Sequence, residues 1–153
     1  MRKILAAVAT LGIAGLGVIV PASSAQAQSH CRGVFDNAAA GYFYAFSGYD
    51  CYPSIGSTAS WDSDWGNSSG PFQGGDTNTA TSILNKGTSG MAVQVFNGTG
   101  QDWGGGYTCL KRSEEFMTTL VGFKFSSGYD VNDEISSHRW VWEETCKDHF
   151  LDS

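Results

Sequence analysis

Residues 132–140, NDEISSHRW, place two carboxylates, an amide, two hydroxyls, an imidazole and a guanidinium within nine positions. Two chemistries could use that set. In the first, His138 acts as a general base with Asp133 and Ser136 beside it. Such constellations are assembled by the fold from distant segments, so crowding along the chain is weak support. No other motif backs it. There is no G-x-S-x-G, no H-E-x-x-H and no P-loop, and GTGQDWGG from Gly98 fails the dinucleotide fingerprint because Trp103 stands at the third glycine. His30 and His149 lie near the ends of the mature chain. No catalytic residue is assigned, and the chain is not read as an enzyme.

The second chemistry is a hard-cation site. Asn132, Asp133, Ser136 and Ser137 offer side-chain oxygens, and a turn also exposes carbonyls. Calcium takes six to eight oxygens in a forgiving geometry. The arrangement occurs twice: TNTATS at 77–82 repeats NDEISS at 132–137, 55 residues earlier, and adds Asn78, Thr81 and Ser82 as candidate ligands. Thr77 leaves the first copy without an amide or carboxylate at its first position. The competing reading is that these side chains only bond their own turns, as Asx and Ser/Thr motifs do.

Those residues need elements to hold them. YFYAF (42–46), MAVQVF (91–96), VGFKF (121–125) and RWVWEE (139–144) alternate as half-buried strands do, with Gly, Ser, Asn and Asp punctuating the chain between them. Short strands at this spacing predict an antiparallel sandwich or barrel. A helical turn is expected only at 113–120, capped by Ser113. The Gly/Ser/Asp-rich stretches 54–78 and 98–106 carry Trp61, Trp65 and Trp103, so they read as ordered loops anchored by aromatics. Two similar four-strand units follow the logic of paired Greek keys, roughly 31–90 and 91–146.

Met1-Arg2-Lys3, the apolar run Ile4 to Val20 and Ala25-Gln26-Ala27 have the layout of a secretory signal peptide, so 1–27 is read as cleaved and 28–153 as one secreted, monomeric domain. Without Arg2 and Lys3, seven basic residues face 15 acidic ones, a net charge near −8. That balance disfavours nucleic acid and anionic membranes as partners. All four cysteines lie in the exported part, where an even count reads as two disulfides. Of three possible connectivities, Cys31–Cys51 with Cys109–Cys146 is expected, because a two-half fold would close each half locally. Zinc is disfavoured because no C-x-x-C pair is present.

NDEISS matches the N/D-N/D-x-x-S/T-S calcium motif of βγ-crystallin-type domains at every position, and TNTATS departs only at Thr77. FNGTGQDWGGG resembles their hairpin, with Phe96, Trp103 and Gly105 as its two aromatics and glycine, and GYFYAFSGYD resembles that of the first half. The order GYFYAF, ILNKGTSGMAVQVF, NDEISSHRWV and a late cysteine is similar to a secreted bacterial branch, the metalloproteinase-inhibitor-like peptidase inhibitors, with Tyr44 where those carry cysteine. The resemblance covers about Cys31 to Cys146. It implies an all-β sandwich of two Greek keys, a serine-containing turn with Ca2+ ligands, Trp140 and Trp142 on the core face, and His138 on the surface. It also implies a secreted inhibitor that blocks a metalloprotease with a rigid loop. The alternatives are a calcium-binding structural or stress module without a protease partner, and a small toxin, since killer-toxin-like proteins share that fold.

Overall fold

The computed structural model describes residues 29–152; the expected signal segment 1–27 lies outside them. In the first half, β1 (Phe43–Phe46) pairs antiparallel with β2 (Ser54–Thr58) and with β3 (Ser82–Asn85). In the second, β4 (Ala92–Phe96) pairs the same way with β5 (Tyr107–Leu110) and β7 (Ser137–Val141). The remaining strand, β6 (Phe116–Met117), crosses to the first sheet and lies against β3, giving the order β2-β1-β3-β6. The reciprocal exchange is made by Asp62, which bridges to His138 on the free edge of β7. Each sheet therefore takes three strands from one half of the chain and its last edge from the other.

Strand alternation decides what each face buries. Phe43, Ala45, Ile83, Val93 and Val95 point between the sheets, where Trp65, Phe72, Leu120, Ile135 and Leu151 complete the main core. The opposite faces are covered too. Phe46 and Leu84 pack under a helix, α1 (His30–Asn37), through Cys31 and Phe35. Ala92 and Val141 pack with Cys109, Cys146 and Phe150 of the C-terminal segment. One disulfide staples each outer layer to its sheet, Cys31–Cys51 on one side and Cys109–Cys146 on the other, which is the locally closed pairing.

Several expected elements differ. α1 was not anticipated: its interior holds Gly33 and only two buried residues, Cys31 and Phe35, too few for a periodic signal. It exists through its context. Ser29 caps it by accepting from the Arg32 N–H at 3.3 Å, and the disulfide holds it down. Lys86 Nζ lies 3.7 Å from the Phe35 ring centroid, with the Arg32 and Arg112 guanidinium groups 5.3 and 5.1 Å away. The helical turn expected at 113–120 is instead a turn leading into β6, because Phe116 and Met117 are drawn to the open edge of β3. Residues 121–125 form turns and a single bridge, Lys124 to Asp130, not a strand. The strand at 139–144 ends at Val141. Trp142 is 56% exposed rather than core, and Glu143–Cys146 turn to bring Cys146 to Cys109. Trp140 does pack against the main core.

The Cys31–Cys51 bridge closes a 20-residue separation. A Cys31→Ser/Cys51→Ser variant is expected to lose about 3 kcal/mol in urea denaturation, by loop-closure entropy. Amide exchange should rise first in residues 30–37. Unchanged stability would mean that packing alone holds α1.

Candidate metal centre

The two repeated segments run past each other just ahead of β3 and β7. The Asn78 N–H donates to the Ile135 carbonyl at 2.9 Å and the Asp133 N–H to the Ala80 carbonyl at 3.0 Å, so each copy of the motif is paired with the other. Both second-position residues have left-handed backbone, Asn78 at φ 56° and Asp133 at φ 57°. Asn and Asp tolerate that region best after glycine, which gives a backbone reason for their presence. Sixth-position serines serve the hairpins. Ser82 Oγ donates to the Gly48 carbonyl (2.6 Å) and accepts from the Cys51 N–H (3.0 Å), and Ser137 Oγ donates to the Gly98 carbonyl (2.6 Å). These two hydroxyls thus pin the β1–β2 and β4–β5 connections and stand apart from the remaining donor groups.

Those remaining groups form two mixed clusters. In the first, Thr81 Oγ1 lies 3.0 Å from Asp133 Oδ1 and 3.1 Å from the Ser47 carbonyl. In the second, Ser136 Oγ donates to Asn78 Oδ1 at 2.7 Å and accepts from Thr77 Oγ1 at 3.1 Å. Counting hydrogens separates them. The second cluster has one hydroxyl proton for each of its two contacts and closes on itself. The first has a single proton, that of Thr81, among three oxygens, one of them a carboxylate. Lone pairs in excess of protons are what a hard cation satisfies. Asn132 supplies one donor, its Nδ2 to Asp133 Oδ2 at 2.9 Å, but brings an unmet acceptor of its own, an Oδ1 buried without a partner. Among the described residues no three His, Cys, Asp or Glu side chains gather as metal ligands, so a cation here would rely on one carboxylate with hydroxyl and carbonyl oxygens. A hard cation placed there would be held by the Thr81 hydroxyl, the Asp133 carboxylate and the Ser47 carbonyl.

His138 is fully buried, contrary to the surface position expected of it. It follows Ser137 inward at the position that Ile83 holds in β3, and its ring lies 4.6 Å from that of Phe43. The Trp65 indole N–H donates to its Nδ1 at 2.9 Å, which places the imidazole proton on Nε2, directed at the Ser60 carbonyl 3.2 Å away. Burial pushes its pKa down to about 3. This histidine is a neutral connector in the core. It fixes loop 59–81, whose Trp65 stacks on Phe72 at 4.1 Å. Asp62, also buried, accepts from the Asp64 and Phe72 N–H groups at 3.0 and 3.3 Å, and burial raises its pKa. Sequence reasoning missed Asp62 and Phe72; the only cue was an aspartate two residues ahead of another, an ordinary Asx-turn pattern.

A four-stranded and a three-stranded antiparallel sheet whose halves exchange their edge segments define a βγ-crystallin-like sandwich. A solved structure described as "Evolution of the eye lens beta-gamma-crystallin domain fold" is similar to this chain, with 16% identity, a TM-score of 0.50, and coverage of 68% of this chain and 88% of its own. At that identity the likeness concerns the fold. Comparison with protein-family models and with curated proteins gives no match.

The imidazole sets a pH test. Free histidine titrates near 6.5 and His138 near 3, so between those values the unfolded chain binds a proton that the folded one refuses. Stability is unaffected above about pH 6.5 and falls on acidification by up to about 1.4 kcal/mol per pH unit toward pH 3. His138→Gln can still accept from Trp65 but cannot titrate. Urea denaturation from pH 7 to 4 should show its slope shallower than wild type by about one proton; equal slopes would refute the buried neutral assignment.

Proposed function

We propose that this protein is an extracellular βγ-crystallin-like module whose fold is stabilised by calcium. The observation that supports this best is the proton-poor cluster of Ser47, Thr81 and Asp133. Export accords with the two disulfides, which persist in oxidising compartments. No described helix is long and apolar enough to cross a membrane. A cation bound only by the folded state stabilises it by linkage, about 2.7 kcal/mol at a hundredfold excess over Kd. Extracellular modules bind calcium at about 0.1–1 mM. A titration to tens of millimolar should therefore raise Tm by about 5–15 °C. Asp133→Asn keeps a residue suited to its left-handed backbone but removes the charge, and should abolish most of the shift. Asn78→Asp should enlarge it by giving the second cluster its missing carboxylate. A wild-type Tm indifferent to calcium would reduce both segments to turns.

A second reading, inhibition of a secreted metalloprotease, rests on the β1–β2 connection. Tyr49 and Tyr52 are 65% and 69% exposed on a loop that is otherwise immobilised. Cys51 ties it to α1, and the Asp50 carboxylate accepts from the Cys31 and His30 N–H groups at 3.0 and 2.8 Å, which hold its pKa below the usual carboxylate range. The Asp50 N–H donates to the Thr118 carbonyl at 2.8 Å. A rigid loop binds a cleft with little ordering cost. The longer 54–75 stretch, by contrast, turns Trp65 and Phe72 inward. A secreted metalloprotease incubated with purified protein should lose activity one-to-one, retain that loss in excess zinc, and escape the variant Tyr49→Ala/Tyr52→Ala. Recovery with zinc alone would mark simple chelation by an acidic protein.

A further inference from the structure

Trp61 is 49% exposed, yet both of its neighbours are fixed. The Ser60 carbonyl faces His138 Nε2 at 3.2 Å, and Asp62 exchanges two backbone hydrogen bonds with His138, at 2.8 and 3.0 Å. The Trp61 ring meets Trp103 edge-on, 6.1 Å between centroids, and Trp103 is held in turn by Phe96 and by the Arg139 guanidinium 5.0 Å from its ring. The result is a water-facing indole on a rigid base. Beside it opens a surface cleft of about 350 Å³, lined by Trp61, Asp62, Ser63, Asn67, Ser69 and Gln101. That volume falls at the small end of ligand sites.

The lining chemistry narrows the ligand. No lysine, arginine or histidine contributes to the cleft, so an anion finds no counter-charge. Asn67 Oδ1 accepts from the Ser69 N–H and hydroxyl at 2.6 and 2.9 Å, which leaves the amide NH2 as its free half. Each Asp62 oxygen accepts one N–H and keeps a second lone pair. Gly70, at φ +91°, belongs to the same wall and packs against this carboxylate; a Cβ there would stand 2.7 Å from Asp62 Oδ2. An aromatic platform ringed by amides, hydroxyls and one carboxylate matches a ligand with an apolar C–H face and a rim of hydroxyl groups.

We propose that this cleft binds a neutral saccharide, with one pyranose ring stacked on the Trp61 indole and its hydroxyls paired to Asn67 and Gln101. A quaternary ammonium is the rival for an indole beside a carboxylate, but it needs an aromatic cage. Here Trp103 already carries the Arg139 guanidinium, so only one aromatic platform is offered. The cleft is open, which suits one unit of a longer glycan chain. The proposal does not depend on the cation clusters.

Calorimetric titration of the disulfide-bonded protein with chitotetraose, cellotetraose, laminaritetraose and choline tests it. At least one tetrasaccharide should bind, equally in calcium and in EDTA. Trp61→Ala should weaken that binding about tenfold, the scale of one aromatic contact, with Trp61→Phe between it and wild type. Trp142→Ala, which removes an exposed indole elsewhere, should leave it unchanged. Absence of binding by every tetrasaccharide, equal binding by Trp61→Ala, or binding of choline alone would each overturn the proposal.

Discussion

The backbone pairs that complete each sheet from the other half of the chain are the constraint on which the rest depends. Asp62 with His138, and Ile83 and Leu84 with Met117 and Phe116, are short ladders, but they leave no sheet complete within its own half. Because Asp62 must reach β7, the loop around it has to cross the mouth of the sandwich, and Trp65 and Phe72 hold it there. A polar side chain at position 138 is tolerated in the core only because that crossing brings an indole N–H and a carbonyl to its two nitrogens.

The repeated six-residue segment does two jobs at once. Its second position supplies left-handed backbone, and its sixth ties a hairpin carbonyl. Neither requirement involves a cation. Only the fifth-position hydroxyl, set against the second-position side chain of the other copy, gathers oxygens beyond what the fold needs. Matching left-handed backbone then carries different electrostatics: an amide at 78 makes a closed neutral network, and a carboxylate at 133 makes an open one. The Asp133 carboxylate is exposed, so its spare lone pairs stay open to solvent or to a cation.

The sandwich, its β1, β4 and β7 strands and the pairing of each half's cysteines were legible because they rest on local alternation and on a two-half fold that closes each half locally. Strand exchange was not. A two-residue β6 and a one-residue bridge at Asp62 carry no periodicity, and they exist only because an unpaired edge is waiting for them. The same cause hid His138: read locally it follows a polar turn, whereas the bridge to Asp62 and the Trp65 N–H draw it fully inside. Trp142 failed in the opposite sense. It keeps the alternation of Trp140, but the chain must turn after Val141 to deliver Cys146, and the indole is left in water.

Reciprocal exchange also fixes what one half could be on its own. Residues 41–90 would fold to three paired strands with a bare edge at β3, and would carry the Asp62 segment with nothing to bind. In the whole chain each half lends its spare segment to the other, and the paired segments 77–82 and 132–137 lie where the two halves meet. The two copies of the segment are not equal, and the inequality of Asn78 and Asp133 is where the repeat becomes a difference in charge.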